Sequence, residues 1–376
     1  MARPFWREGG DRTRPGMTRL WCLLATLVLL LSASGGAVAM EALQFFRIGT
    51  AAITGTYFQI GGVLASAISK PPGSRDCGRG GSCGVSGLVA VAQATQGSIQ
   101  NVLAIASGQL EGGLVQSDVG YWAYSGTIPP AKRCGTGKNE SQNHNTGMAL
   151  LAGRAPLKDL RAIAALYPED VHVVVRAESV IRGFRDLKGK RVALGEPESG
   201  TLADARLVLE AAGLSECEVK AEYLRLSEAA EALVQGRIDA FFMVGGYPVP
   251  AISDVANGTP IRLLPLSRNI TEKLAEKYSF LRLDTIPAGT YPGVEEDVPT
   301  LSTTALWLVR ADIEADLVHA ITKALWSDAT RHLLDGTHPV GKRIRLSSAL
   351  DGVAVPLHPG AAQFYREAGV KIPDGL

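Results

Sequence analysis

The sequence predicts an α/β fold made of two lobes with a cleft between them. Short apolar, β-rich segments alternate with amphipathic helical segments from residue 45 onward, as in layered α/β proteins with largely parallel sheets. Glycine-rich turns follow several of these strands. No low-complexity linker divides the chain into separate domains, so we expect the chain to pass between the lobes more than once.

The elements can be assigned in order along the chain. Strands are predicted at Phe45–Ile48, at Leu114-Val115, and at Val171–Val175, Arg191–Leu194, Ile238–Val244 and Ala305–Val309. Helices are predicted at Tyr57–Ile68, after Gln116-Ser117-Asp118 through Tyr124, at Thr201–Ala212 with Gly213 as its terminator, and at Ile313–Trp326. Residues 71–84 and 127–148 lack apolar periodicity and are predicted to be surface excursions.

Composition and charge exclude several classes of protein. A chain of 376 residues with 46% hydrophobic and 20% charged residues has enough apolar material for a packed core, so disorder is excluded as its main description. The net charge of +1 provides no electrostatic footprint for nucleic acid or an anionic membrane. Residues 1–39 contain five arginines against Glu8 and Asp11, and the remainder of the chain carries −2.

The first 39 residues have the layout of a secretory signal peptide. A basic region ends at Arg19, an apolar run extends over Leu20–Leu31, and Ala37-Val38-Ala39 predicts cleavage before Met40. The run of 12 residues is shorter than the roughly 20 that a membrane-spanning helix needs. We therefore expect a soluble periplasmic protein, with an uncleaved membrane anchor as the alternative.

Four cysteines remain after the predicted cleavage, in a compartment where disulfides form. Cys77 and Cys83 flank the flexible segment Gly-Arg-Gly-Gly-Ser, and we predict that they form a disulfide. Cys134 and Cys217 are either free or paired, and the sequence does not decide between these states. The six histidines are scattered and no C-x-x-C or H-x-x-x-H unit occurs, so no zinc site is predicted.

Four turns after predicted strands carry the candidate binding residues, and they are Gly49–Tyr57, Gln116–Asp118, Glu196–Thr201 and Gly245–Pro248. In open α/β sheets, ligands bind beyond the carboxyl ends of the strands, where such turns lie. The first and third turns each lead hydroxyl residues and glycine into a helix, whose free N–H groups accept a carboxylate or phosphate. The alternative is that Thr54, Ser199 and Thr201 only cap helices.

Enzyme motifs are incomplete in this sequence. Gly80–Gly84 matches the G-x-S-x-G pattern of hydrolases but follows no strand. No phosphate-binding P-loop, dinucleotide fingerprint or H-E-x-x-H zinc motif occurs. Asp118 and Glu198 are candidates for an acid/base pair, but neither accompanies a nucleophile, and a helix cap and a solvated charge are the simpler interpretations. We predict a binding protein that has no cofactor and no metal.

Several segments, taken in order from about residue 45 to the C-terminus, resemble the TAXI family, the solute receptors of tripartite ATP-independent periplasmic (TRAP) transporters. They are Arg47-Ile48-Gly49-Thr50, Thr54-Gly55-Thr56-Tyr57, Gln116-Ser117-Asp118, Leu187-Lys188-Gly189-Lys190-Arg191-Val192, Glu198-Ser199-Gly200-Thr201 and Pro356-Leu357-His358-Pro359-Gly360-Ala361. The Cys77–Cys83 excursion and Gly245-Gly246-Tyr247-Pro248 resemble one subgroup of that family. The second excursion, 127–148, is longer than expected for the family.

The resemblance implies a monomeric periplasmic-binding-protein fold of type II, with a hinge and a ligand cleft between lobes. The lobes would be 40–168 plus 311–376, and 169–310. Such a receptor closes on glutamate, glutamine or a 2-oxoacid-like dicarboxylate and docks onto an integral membrane TRAP permease. The resemblance assigns Thr50, Gly55, Thr56, Tyr57, Gln116, Ser117 and Asp118 to one face of the cleft, and Ser199, Gly200, Thr201 and Tyr247 to the other.

Three other functions remain open at this point. A binding protein of an ABC importer has the same fold, and fold does not determine the partner. A secreted enzyme acting on small acids would use Asp118 or Glu198 as a base. A sensory module would report its ligand to a membrane kinase.

Overall fold

The computed structural model describes residues 43–129 and 147–376. The predicted signal peptide and most of the second excursion, including Cys134, lie outside these ranges. The strands are β1 Gln44–Gly49, β2 Ser69–Lys70, β3 Val85–Ser86, β4 Leu88–Gln93, β5 Gly112–Gln116, β6 Leu160–Arg176, β7 Arg191–Ala193, β8 Lys220–Glu222, β9 Ala240–Gly245, β10 Ile261–Leu263, β11 Arg282–Ile286 and β12 Val298–Arg310. The helices are α1 Thr56–Ile68, α2 Ser98–Ala106, α3 Ser117–Ser125, α4 Gly200–Ala211, α5 Leu226–Val234, α6 Pro250–Gly258, α7 Arg268–Lys277, α8 Ala315–Leu325, α9 Asp328–Thr337 and α10 Pro359–Glu367.

The main sheet consists of two halves with the same strand order. In the first half the order is β4-β1-β5-β12-β6, and in the second it is β8-β7-β9-β6-β10. Within each half the first three strands are parallel, and the strand beside them is antiparallel. In the first half this antiparallel strand, β12, comes from a distant part of the chain, whereas in the second half it is β6, which directly precedes β7. If the strands of each half are numbered in chain order and the antiparallel strand is called n, both halves have the order 2-1-3-n-4. This is the order of the type II periplasmic-binding-protein fold, which confirms the predicted fold class.

Strands β6 and β12 connect the two halves. They pair antiparallel from Leu160 opposite Arg310 to Asp170 opposite Ser302, and β6 then continues beside β9 from Asp170 to Val175. Sequence analysis predicted only the last part of β6, because the polar pair Glu169-Asp170 after Pro168 interrupts the apolar pattern of a single strand. The predicted lobe boundaries fall inside β6 and at the end of β12, and separate movement of the lobes stays a prediction.

The predicted helices agree with the structure to within one or two residues. Helix α1 begins at Thr56, directly after Gly55 in extended conformation. Helix α4 begins after Ser199, whose side-chain oxygen accepts a hydrogen bond from the Leu202 N–H and so caps the helix. Gly213 follows α4 with φ of +79°, a left-handed conformation that favours glycine and ends the helix as predicted.

The first excursion is closed by the predicted disulfide between Cys77 and Cys83, whose Cα atoms are 4.6 Å apart. Residues 75–80 of this excursion are exposed. Cys217 is disulfide-bonded as well. Within the two described ranges, no helix combines the length and the apolar character needed to cross a membrane.

The pairing of β12 with both of its neighbours makes its core side chains sensitive to truncation. Leu308 is fully buried, whereas Leu283 on the adjacent β11 is 56% exposed. We expect Leu308→Ala to lower the free energy of unfolding by about 2–5 kcal/mol, because it leaves a cavity in a packed core. Leu283→Ala is the matched control and should change it by less than about 0.5 kcal/mol. Denaturant titration of both variants measures the difference, and equal losses would contradict the description of β12 as core.

Candidate functional site

A cavity lies where the carboxyl ends of strands from both halves of the sheet meet. Its volume is about 640 Å³ including the space at its mouth. The residues at or after the ends of β1, β5, β7 and β9 contribute to its lining. This is the position at which open α/β sheets bind ligands.

Seven of the eleven predicted binding residues line this cavity, and they are Gly55, Thr56, Tyr57, Gln116, Ser199, Gly200 and Thr201. They come from both halves of the sheet, so the structure brings together turns that lie up to 146 residues apart in sequence, from Gly55 to Thr201. Several other residues of the lining were not among the predicted binding residues, and they include Gln96, Gly97, Ser98, Glu169, Glu196 and Met243.

The other four predicted residues lie outside the lining. The hydroxyl of Thr50 donates to the Gln93 carbonyl at 2.8 Å. The hydroxyl of Ser117 donates to the Gly352 carbonyl. Asp118 is fully buried. Tyr247 lies under the guanidinium of Arg343, which is 5.1 Å from the ring centroid.

Three helix N-termini point at the cavity. They are the first residues of α1, α2 and α4, preceded by Gly55, Gly97 and Ser199. Neither Gly55 nor Gly97 provides a side-chain cap, so backbone N–H groups of two helix ends have no side-chain acceptor. The positive ends of three helix dipoles therefore act on the same small space. The sequence signal for α2 was the apolar period after Gly97-Ser98, following the short strand β4.

Two carboxyl groups also line the cavity. Burial is the main cause that raises the pKa of Glu169 well above its ordinary value, and its carboxylate accepts a hydrogen bond of 2.7 Å from the hydroxyl of Tyr57. Burial also raises the pKa of Glu196 to about 7, against the opposing effect of Arg225 near the mouth. Among the residues that line the cavity in the described ranges there is no lysine, arginine or histidine.

The remaining wall is apolar. It consists mainly of side chains from the second half, which are Leu224, Leu226, Ala229, Phe242, Met243 and Val244. Thr201 joins α4 to this wall, because its hydroxyl accepts a hydrogen bond from the Val244 N–H at 3.2 Å. A ligand would therefore be bound by polar groups at the helix ends and by apolar contact on the opposite side.

Direct hydrogen bonds join the two halves around the cavity. The N–H groups of Ile99 and Gln100, at the start of α2, donate to the Glu198 carbonyl at 3.1 and 3.2 Å. The hydroxyl of Thr56 donates to the Gly246 carbonyl at 2.8 Å. The amide of Gln116 donates to the carboxylate of Asp204 at 2.7 Å. The loops of the two halves therefore touch around the cavity, which is the arrangement expected of the predicted two-lobe receptor when it is closed.

A family model described as the NMT1-like family matches residues 48–135 and 136–369. Three solved structures are also similar. The alkanesulfonate-binding protein SsuA from Xanthomonas axonopodis pv. citri, bound to MOPS, is 16% identical with a TM-score of 0.42, over 80% of this chain and 83% of that one. The periplasmic aliphatic sulphonate binding protein SsuA from Escherichia coli is 14% identical with a TM-score of 0.40, over 87% and 84%.

An ancestral arginine-binding protein bound to arginine is 13% identical with a TM-score of 0.40, over 86% of this chain and 97% of that one. The family match, which covers most of the chain, is the comparison that supports the family assignment.

Gly200 allows the close approach of the two halves. A Cβ atom at this position would lie 1.2 Å from Oε1 of Gln116, which belongs to the other half. We expect Gly200→Ala to disfavour the closed form and to increase the radius of gyration in small-angle scattering. The added substitution Gln116→Ala removes the overlapping side chain and should restore the compact form.

Gly62→Ala is the control for this experiment, since a Cβ at Gly62 in α1 meets nothing within 4 Å. An unchanged radius of gyration in Gly200→Ala would contradict the importance of this contact for closure.

Proposed function

We propose that this chain, which belongs to the NMT1-like family, is an extracytoplasmic solute-binding protein that captures a small carboxylated solute for a membrane permease. The observation that carries this proposal is the cavity between the two halves, which is lined from both sides and enclosed by hydrogen bonds that join them. A ligand that contacts both halves stabilises the closed form relative to an open one, which is the basis of capture and release.

The helix ends support a carboxylate as the group that is recognised. Backbone N–H groups at the starts of α1, α2 and α4 act on one side of the cavity, where a negative charge is stabilised without a cationic side chain. A small carboxylate would replace the Glu198 carbonyl as acceptor for the start of α2, or would bind beside it.

The acidic groups in the lining favour an amino acid over a dicarboxylate. Glu196 borders both the cavity and its mouth. When ionised, its carboxyl group attracts a positive charge on the solute and repels a negative one. A second carboxylate on the solute would approach Glu196 with no cation among the described lining residues to offset the repulsion. An α-ammonium group would instead pair with Glu196. Among the solutes that the TAXI resemblance implies, glutamine therefore suits this cavity better than glutamate or other dicarboxylates.

The export signal and the partner belong to the same proposal. The signal-like segment 1–39 supports a periplasmic location, and the ordered TAXI-like motifs support a TRAP permease as the partner. The mature chain, residues 40–376, would shuttle between free solute and permease as a monomer.

Ligand binding is tested with the mature chain and a panel of small solutes. We expect glutamine or a related amino acid at about 100 times its Kd to stabilise the folded chain by about 2.7 kcal/mol. A rise in Tm of several degrees follows, measured by scanning fluorimetry against succinate and 2-oxoglutarate as dicarboxylate comparisons. No shift with any amino acid or carboxylate at concentrations far above physiological would contradict the proposed function.

Glu196 provides a test of how the solute is recognised. We expect Glu196→Gln to weaken amino-acid binding by about ten- to a hundredfold, because a charge-assisted contact contributes about 1.5–3 kcal/mol. The affinity for a monocarboxylate without an amino group should change little. Glu198→Gln is the matched control, since its side chain lies two residues away and outside the lining while its carbonyl contact is retained. Calorimetry of both variants measures the difference, and equal affinities would contradict a role for Glu196.

The pH dependence of amino-acid binding follows from the pKa of Glu196, which is about 7 in the absence of solute. An ammonium group binds the ionised carboxylate, so binding releases a proton from the fraction that is protonated. The amino-acid affinity of the unsubstituted chain should therefore rise with pH up to about 7, by at most about tenfold per unit, and level off above it. Glu196→Gln should remove this rise.

The choice of transporter is tested by the membrane proteins that bind the mature chain. We expect a tagged chain loaded with solute to co-purify an integral permease without an ATPase subunit. Recovery of an ATPase together with its permease would favour the ABC importer instead.

A further inference from the structure

Two buried carboxyl groups face each other across the junction of the two halves. Asp118 is on α3 in the first half and is fully buried, and Asp204 is on α4 in the second half and is 3% exposed. The two carboxyl groups are close enough for each to affect the pKa of the other. Neither aspartate is in the lining of the cavity, but Asp204 is hydrogen-bonded to Gln116, which is.

The surroundings of the pair provide few donors. The Gln116 amide donates to Oδ2 of Asp204 at 2.7 Å, and the Thr303 hydroxyl donates to Oδ1 of Asp118 at 3.4 Å. Oδ2 of Asp118 is buried and has no hydrogen-bond partner among the described residues. A buried carboxylate oxygen without a donor is unfavourable by an amount comparable to a lost hydrogen bond.

The charges that act on the pair are also negative. Glu169 on β6 acts on Asp204 and is itself affected by Asp118 and by Asp170, which lies next to it on the same strand. Tyr57 on α1 faces Glu169 and donates to it. In the part of the chain that the structure describes, no lysine, arginine or histidine is among the groups acting on Asp118 or Asp204.

Two ionised carboxylates repel each other, and neither has a hydrogen to donate. Burial and the neighbouring negative charges raise the pKa of Asp204 well above its ordinary value, and burial raises that of Asp118. A single shared proton resolves the repulsion and provides the missing partner for Oδ2 of Asp118.

We propose that Asp118 and Asp204 share one proton when the two halves are closed, so that closure takes up a proton and is favoured by falling pH. This inference rests on the proposed function in one respect, namely that the halves open and close. Opening separates α3 from α4 and exposes both side chains to water, where aspartate ionises near its ordinary pKa of about 4.

The sign of the effect follows from linkage. The closed form binds one more proton than the open form at any pH between the open-state and closed-state pKa values. In that window, each unit by which pH falls increases the ratio of closed to open molecules by up to about tenfold. The pair by itself would therefore favour closure of the receptor in acid.

Glu196 also titrates, with the opposite effect on amino-acid binding, so its contribution has to be removed. The experiment therefore uses the mature chain with Glu196→Gln as its parent and contains no solute. Spin labels at Ile53→Cys and Val234→Cys report the separation of the halves by pulsed electron paramagnetic resonance. These positions are 64% and 46% exposed, on the first and second half respectively. The unsubstituted chain shows whether labels attach elsewhere.

In the parent, we expect the ratio of closed to open molecules to rise by up to about tenfold per unit as pH falls toward about 4, the ordinary pKa of aspartate. Asp118→Asn places an amide donor against Asp204 in nearly the same shape and should abolish most of this slope. Asp204→Asn is the reciprocal variant and should do the same. Asp239→Asn is the control that should retain the slope, because Asp239 is paired with Arg191 within the second half.

A parent ratio that does not change with pH, or an equal slope in Asp118→Asn, overturns the proposal. If the two spin labels show a single separation at every pH, the test uses the melting temperature of the chain instead. The folded form then binds more protons than the unfolded one, so the Tm of the parent should fall as pH rises above about 4, and Asp118→Asn should show a smaller fall. Equal falls overturn the proposal.

None of these measurements uses a solute. If the chain binds amino acids but its closure shows no pH slope, only this inference is contradicted. If closure shows the slope but the chain binds no solute, only the proposed function is contradicted.

Discussion

The antiparallel pairing of β6 with β12 is the interaction on which the rest of the structure depends. Each of these strands takes part in the hydrogen-bonded sheet of its own half and of the other, so the two halves are held side by side with their strand ends turned toward the same space. The cavity exists because of this arrangement. It also means that movement of the halves has to be absorbed in two continuous strands, with β6 carrying Glu169 and Asp170 where it passes from one half to the other.

Electrostatics in the cavity follow from its lining, in which the described residues include no cationic side chain. Helix ends provide the positive side of the cavity through backbone dipoles, which cannot titrate. The negative side is provided by carboxyl groups, which can. Glu196 lies beside the solute space, whereas Asp118 and Asp204 lie outside its lining, so one carboxyl group would sense the solute and a separate pair would sense whether the halves are closed. The affinity for the solute and the closure of the two halves would therefore depend on pH through different carboxyl groups.

Much of the site was predictable from the sequence because its elements are local. A turn such as Gly55-Thr56-Tyr57 shows in the sequence that a strand has ended and that a helix begins with free N–H groups. The same holds for Ser199-Gly200-Thr201. Gln96-Gly97-Ser98 carries a similar signal after β4 but was not among the predicted turns. Asp204 and Glu169 have no such signal: one is a helix residue and the other lies within a long strand.

The sequence by itself determined the α/β class, the helix starts that line the cavity and the disulfide between Cys77 and Cys83, because each depends on residues close together in the chain. Only the tertiary structure decided which strands are shared and which acids meet. Asp118 was interpreted from the sequence as a helix cap, but it lies in the first turn of α3, whose N-cap is Gln116. In isolation it is a harmless first-turn acid, and Asp204 is an ordinary polar position on α4. The tertiary structure buries both of them, with no cation among the described groups that act on them, and that burial turns two ordinary aspartates into a pair that we infer to share a proton.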